Sequence, residues 1–263
     1  MKHILVPIGS TESAQSTLQY AIDFAADNNA KIFVFRAYNA QSKAGTMVNV
    51  SNIIARETNL YLKTMVKACN TNNVDIKLIA AKGGVIDSIQ NIDAELGIDL
   101  VIVGAKSNAI KEELFLGNTA GSIVKKSDIT VLAIPDGYIY KPVTTILMAT
   151  KSGDIRSKTA LKPLQYVVKK YKAKLNVLLV KTPNYTDEDL VLHQDLEVMK
   201  STLTVTENAT TFQGVLEHFK THNPDMLCVL RRKRGFFKKL WEKNTILKEE
   251  FYTNVPLLVL RGK

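Results

Sequence analysis

The stretch DLVIVGAKSNAIKEELFLGNTAGSIVKKSDITVLAIP, residues 99–135, decides how the chain is interpreted. It predicts a strand over 99–103, a turn at Gly104, a loop, a helix beginning at Gly117 and a second strand over 129–134. Both strands are continuous apolar runs, which are typical of parallel strands covered on both faces. A glycine and small polar residues at a helix N-terminus can bind phosphate through free backbone N–H groups. The stretch therefore predicts a parallel α/β fold with a candidate phosphate site.

The residues before this stretch continue the same alternation of strands and helices. Strands are predicted over 3–7, 31–38 and 74–81. A helix predicted over 51–69 is expected to turn four side chains inward: Ile54, Leu60, Tyr61 and Met65. Strands that alternate with helices favour a parallel sheet with right-handed crossovers.

The second half of the chain repeats the first. From residue 99 onward the halves align at one constant offset, which pairs Asp99 with Asp225 and Val131 with Leu257. We therefore predict two tandem flavodoxin/Rossmann-like domains, each a five-stranded parallel sheet with helices on both faces. The predicted boundaries are 1–137 for the first domain, 138–143 for a linker, and 144–263 for the second domain.

Composition narrows the class of protein. Apolar residues make up 46% of the 263 residues, which is enough for ample cores, and no apolar run reaches the length of a membrane span. The start of the chain has no signal-peptide pattern. Two cysteines without a metal-binding spacing, Cys69 and Cys228, fit a reducing compartment. We therefore expect a cytoplasmic protein without a transmembrane segment.

A signature of small residues connects this pattern to a known family. Gly104, Ser107 and Gly117 have the spacing glycine, two residues, glycine, nine residues, glycine, and Asn118 and Thr119 follow where a serine or threonine is usual. This spacing resembles the C-terminal signature of the universal stress protein family. The chain is similar to the tandem, two-domain form of that family over nearly its whole length.

The resemblance implies an adenine-nucleotide site in the first domain, with ATP or AMP as the ligand. The implied contact residues are Pro7, Gly9, Ala37, Gly104, Ser107, Gly117, Asn118 and Thr119. Gly9 stands where the family has an aspartate beside the adenine or ribose, and Ser107 stands at a glycine place. Whether a nucleotide binds is therefore left open. In the second half the three glycine places hold Leu230, Lys233 and Lys243, so no nucleotide is expected there.

The functional hypothesis is a non-catalytic regulatory protein of the universal stress type that senses a ligand or partner. The first alternative is an adenine-nucleotide-binding protein with at most slow hydrolysis in the first domain. The second alternative is a basic adaptor for nucleic acid or an acidic membrane, using the cluster Arg231–Arg234 and the net charge of +10. Charge runs are weak motifs, so specific nucleic-acid binding is not expected.

No catalytic or metal-binding constellation accompanies the glycine signature. His218 and His222 have helical i, i+4 spacing, but the sequence suggests no third ligand for Zn²⁺. The acidic run Asp187–Asp189 predicts a helix start. We expect the two domains to form an internal pseudo-dimer, with a homodimer as the alternative assembly and an unidentified regulatory protein as partner.

Overall fold

A computed structural model describes residues 1–9, 13–39, 50–105, 117–155, 157, 159–231 and 255–261. The contacts divide it into two compact units. The first unit comprises 1–104, 119–129 and 136–140, and the second comprises 105–118, 130–135 and 141–263. The last strand of the first sequence repeat thus belongs by its contacts to the second unit. The predicted boundaries along the chain remain a prediction.

The first unit is built on four parallel strands in the order β3-β2-β1-β4, the order of a Rossmann half. The strands are β1 (His3–Pro7), β2 (Lys31–Tyr38), β3 (Ile76–Lys82) and β4 (Leu100–Gly104). The helices are α1 (Ala14–Asn28), α2 (Val50–Lys67), α3 (Val85–Leu96) and, from Thr119 onward, α4 (Gly117–Lys126). Three residues of β1 and four of β4 are buried, as the apolar runs predicted.

The second unit repeats this order as β8-β7-β6-β9-β10 and adds β5 beside β10. The strands are β5 (Val131–Ile134), β6 (Thr145–Thr150), β7 (Lys174–Lys181), β8 (Thr202–Glu207), β9 (Met226–Arg231) and β10 (Leu257–Arg261). The helices are α5 (Lys162–Tyr171), α6 (Gln194–Met199) and α7 (Thr211–His222). All pairs are parallel except β5 with β10, which is antiparallel. The predicted α/β class with Rossmann-like sheets is confirmed.

Equivalent carboxylates mark the repeat within the backbone. The Asp99 carboxylate accepts the N–H groups of Lys2 and His3, and the Asp225 carboxylate accepts those of Thr144 and Thr145. In both copies the aspartate lies just before the fourth strand and satisfies donors at the start of the first strand. The alignment of Asp99 with Asp225 is therefore correct in three dimensions.

One helix face was predicted wrongly. The structure confirms α2 but leaves Leu60 57% exposed, whereas Thr58 and Leu62 are its buried residues. Each residue turns an α-helix by about 100°, so Leu60 points roughly opposite to Leu62. The segment before β8 also contains the short helix α6, which the sequence analysis did not predict.

Candidate functional site

The candidate site of the first unit lies where neighbouring parallel strands end. β1 pairs with β4 on one side and with β2 on the other, so Pro7, Gly104 and Ala37 come to the same edge of the sheet. The Ile8 N–H donates to the Phe35 carbonyl oxygen at 2.7 Å and extends the pairing one residue past β1. This edge is the usual ligand crevice of an open α/β sheet.

Gly104 is held in place by a close contact with α1. A Cβ at Gly104 would stand 2.5 Å from Oγ1 of Thr17, a buried residue of that helix. The glycine therefore has a packing reason: α1 approaches β4 too closely for a side chain. Its presence alone does not distinguish a phosphate contact from helix–strand packing.

The Tyr61 side chain, on α2, contacts both Gly9 and Arg36 of β2. The Tyr61 hydroxyl donates to the Gly9 carbonyl oxygen at 3.0 Å, and the Arg36 guanidinium lies 4.1 Å from the centre of the Tyr61 ring. Gly9 itself is exposed. Tyr61 was predicted to face inward with the apolar residues of α2, and its contact with Gly9 has no sequence signal because α2 and the loop after β1 are distant in sequence.

The remaining predicted site residues lie at the start of α4, at the end of β9 or outside the described residues. Ser107 lies outside the described residues. Gly117 and Asn118 begin α4, and their side chains lie outside the description. Thr119 is exposed in the first turn of that helix. Arg231 ends β9, and the rest of the basic cluster lies outside the described residues.

The second unit closes the equivalent loop after its first strand. The Gly153 N–H donates to the Asp189 carbonyl oxygen at 2.7 Å, and the His193 N–H donates to the Gly153 carbonyl oxygen at 3.0 Å. A Cβ at Gly153 would stand 2.2 Å from the carbonyl oxygen of Val191. The segment Thr186–His193 therefore covers this loop with its own backbone.

Side chains reinforce that cover. Hydrogen bonding from Ser152 lowers the pKa of the Asp189 carboxyl, and hydrogen bonds from Thr186 act in the same direction. Thr186 and Asp189 form a capping box at the 3₁₀ helix Asp187–Leu190. The predicted acidic helix start is therefore correct, but its position over the loop after β6 has no signal in the sequence.

Two residues near the crevice of the first unit, Gly104 and Arg36, are replaced by apolar residues in the second unit. Counting from Asp99 and Asp225, Leu230 takes the place of Gly104 and is 7% exposed. His3, at the start of β1, pairs with Lys31, and Thr145, at the start of β6, pairs with Lys174, so Lys31 and Lys174 are equivalent. Counting along the strand from these two residues, Leu179 takes the place of Arg36, and it is 1% exposed. Buried leucines in the second unit therefore occupy the two positions that hold a glycine and an arginine in the first unit.

The predicted histidine pair, His218 and His222, lies on α7. The His218 and His222 rings stack with their centroids 6.1 Å apart. Burial lowers the pKa of His222, and the nearby His218 lowers it further. Among the described residues, no group of three His, Cys, Asp or Glu side chains could hold a metal ion. Within the same ranges, every helix is too short or too polar to cross a membrane.

The strand order, the glycine-bearing crevice and the internal repeat define the class: a tandem Rossmann-like α/β protein. The Universal stress protein family matches residues 1–135, about half of the chain. Universal stress protein A homolog 1 of Coxiella burnetii is 28% identical over 141 residues, 51% of this chain and 95% of that relative. The chain belongs to the universal stress protein family.

Solved structures extend the likeness to the second half. A universal stress protein from Archaeoglobus fulgidus aligns with a TM-score of 0.71 at 16% identity, covering 99% of this chain and 98% of that one. A Pseudomonas aeruginosa protein of unknown function aligns at 0.56 with 14% identity, covering 99% and 92%. Identities this low show the fold alone, and that fold spans both repeats.

Proposed function

We propose that this protein is a non-catalytic, cytoplasmic stress-response regulator that senses an adenine nucleotide, ATP or AMP, through its first repeat. The observation that carries the proposal is the contrast between the two crevices. Backbone hydrogen bonds through Gly153 close the second crevice, whereas Gly9, two residues past the end of β1, is exposed. A nucleotide phosphate needs backbone N–H donors that are still free.

The second repeat acts in this proposal as a structural partner within an internal pseudo-dimer. Support comes from the antiparallel pairing of β5 with β10, which aligns Leu132 with Leu258. These are the last strands of the two sequence repeats. Self-association into a homodimer of this chain is the alternative.

Thermal unfolding with and without ATP, AMP and cyclic AMP tests the nucleotide proposal. A ligand at 100 times its Kd stabilises the folded state by about 2.7 kcal/mol. The Gly117→Val variant should lose the shift, because a side chain at the start of α4 keeps phosphate away from the backbone. Phosphate release measured in the same samples tests for slow hydrolysis, and we expect none above background.

The matched control is Lys243→Ala, which removes a positive charge from the position equivalent to Gly117 in the second repeat. It should keep the full thermal shift. Loss of the shift in Lys243→Ala, or its survival in Gly117→Val, would contradict the assignment of the site to the first repeat.

A further inference from the structure

Arg36 is an unusual residue for its place in the sheet. It lies in β2, where it pairs with Ala80 of β3, and the equivalent residue of the second repeat is the buried Leu179. The other residues of β2 before it, from Ile32 to Phe35, are all buried and apolar. The same strand position thus holds a buried leucine in β7 of the second repeat and an arginine in β2 of the first repeat.

The guanidinium of Arg36 is held against a tyrosine ring, and one of its nitrogens has no hydrogen-bond partner among the described residues. It stacks on the Tyr61 ring at 4.1 Å, and the Tyr61 hydroxyl is itself fixed by the Gly9 carbonyl oxygen. Nη1 of Arg36 is buried and makes no hydrogen bond within the described part of the chain. Arg36 also forms no ion pair with a carboxylate of those residues.

A buried guanidinium N–H without a partner is costly, since arginine is rarely buried unless it is paired. Stacking on an aromatic ring stabilises the cation but supplies no acceptor to the in-plane N–H groups, and Nη1 of Arg36 has none among the described residues. The planar fork of these donors matches the oxygens of a phosphate or carboxylate. Arg36 thus presents the donor side of an oxyanion contact, and the described residues supply no acceptor to its Nη1.

We propose that Arg36 binds an oxyanion at the carboxyl end of β2, and that the ligand of this repeat is an adenine nucleotide with an additional phosphate on its ribose. β1 lies between β2 and β4, so two strand spacings, about 10 Å, separate this subsite from the β4 edge. In dinucleotide-binding folds an arginine in this region accommodates a ribose phosphate. The ribose phosphate rests on the function proposed above; the oxyanion contact of Arg36 does not.

The experiment compares probes that differ in one phosphate. AMP, adenosine 2′,5′-bisphosphate, adenosine 3′,5′-bisphosphate and inorganic phosphate are each titrated against the full chain by calorimetry and thermal shift. We expect one of the bisphosphates to bind the wild type at least about 10-fold more tightly than AMP, the gain typical of a hydrogen bond to a charged group.

Arg36→Leu copies the residue of the second repeat and should reduce bisphosphate binding to the level of AMP. Arg36→Lys keeps the charge but loses the fork, so it should retain part of the gain. The control is Arg56→Leu, which removes the same charge from an exposed position of α2 and should leave the gain intact. Thermal unfolding without ligand checks that each variant is folded.

The outcomes separate the two proposals. If AMP binds but the bisphosphates gain nothing, or the gain survives in Arg36→Leu, Arg36 is a structural residue and the inference is wrong while the proposed function stands. If nucleotides fail to bind but inorganic phosphate binds and is lost in Arg36→Leu, the oxyanion contact is supported and the nucleotide function is wrong. Failure of every probe to bind overturns both.

Discussion

The two repeats share a scaffold and differ at the carboxyl ends of their strands. Asp99 and Asp225 make the same hydrogen bonds before the fourth strand of each copy. Near the carboxyl ends of the second and fourth strands the copies diverge: the first has Arg36 and Gly104, and the second has the buried residues Leu179 and Leu230. The aspartate contacts that hold the first strand are therefore common to both copies, whereas the residues that line the crevice differ between them.

The largest expected effect tests the closed loop of the second repeat. Gly153→Val places side-chain atoms against the carbonyl oxygen of Val191, which stands 2.2 Å from an ideal Cβ. Because a backbone atom cannot swing away, we expect a loss of about 3 kcal/mol in the free energy of unfolding, measured with urea. Gly137→Ala calibrates the result, since Gly137 has a φ of +69° and open space, and should cost about 1 kcal/mol. If the two variants lost equal amounts of unfolding free energy, the packing of Thr186–His193 against Gly153 would be contradicted.

A smaller effect distinguishes the two equivalent aspartates. Burial alone would raise the pKa of Asp225, but hydrogen bonds from Lys141 and Thr144 lower it to about 2. The lowered pKa means that Asp225 stabilises the fold fully above its ordinary value near 4, and that this stability is lost as the pH falls towards 2. We expect the wild type to lose about 2 kcal/mol over that range that Asp225→Asn does not lose.

Asp99→Asn is the matched control for this comparison. Its carboxylate accepts two backbone N–H groups, without the lysine that Asp225 also binds. At pH 7, urea unfolding should therefore show a smaller loss for Asp99→Asn than for Asp225→Asn. The reverse order would show that Lys141 contributes nothing at its partly exposed position.

The smallest effect concerns the reason for Gly104. Gly104→Ala should destabilise by about 1–2 kcal/mol, because the new Cβ meets Oγ1 of Thr17 at 2.5 Å. In a Thr17→Ala background the same change should cost less than about 0.5 kcal/mol, and a double-mutant cycle measures this coupling. The second repeat carries the relieved combination, since Ala160 and Leu230 take these places. Additive effects would mean that Gly104 serves the ligand edge rather than the packing of α1.

Much of the fold could be predicted from the sequence because its signals are local. Apolar runs marked the strands, and the constant offset identified the Asp99 and Asp225 equivalence that the hydrogen bonds confirm. The errors occurred where a helix lies at the rim of its sheet. α2 buries few side chains, so hydrophobicity did not identify which face contacts β2 and β3.

The sequence by itself determined the family, the α/β class, the repeat and the loss of the glycine signature from the second copy, since each depends on residue type and spacing. Tertiary structure alone decided that Thr17 requires a glycine at 104, that Thr186–His193 covers Gly153, and that Tyr61 lies between Arg36 and Gly9. These contacts join residues dozens of positions apart or depend on backbone atoms that every residue possesses. No pattern in the sequence encodes them, because close approach is a property of how the elements pack and not of the elements themselves.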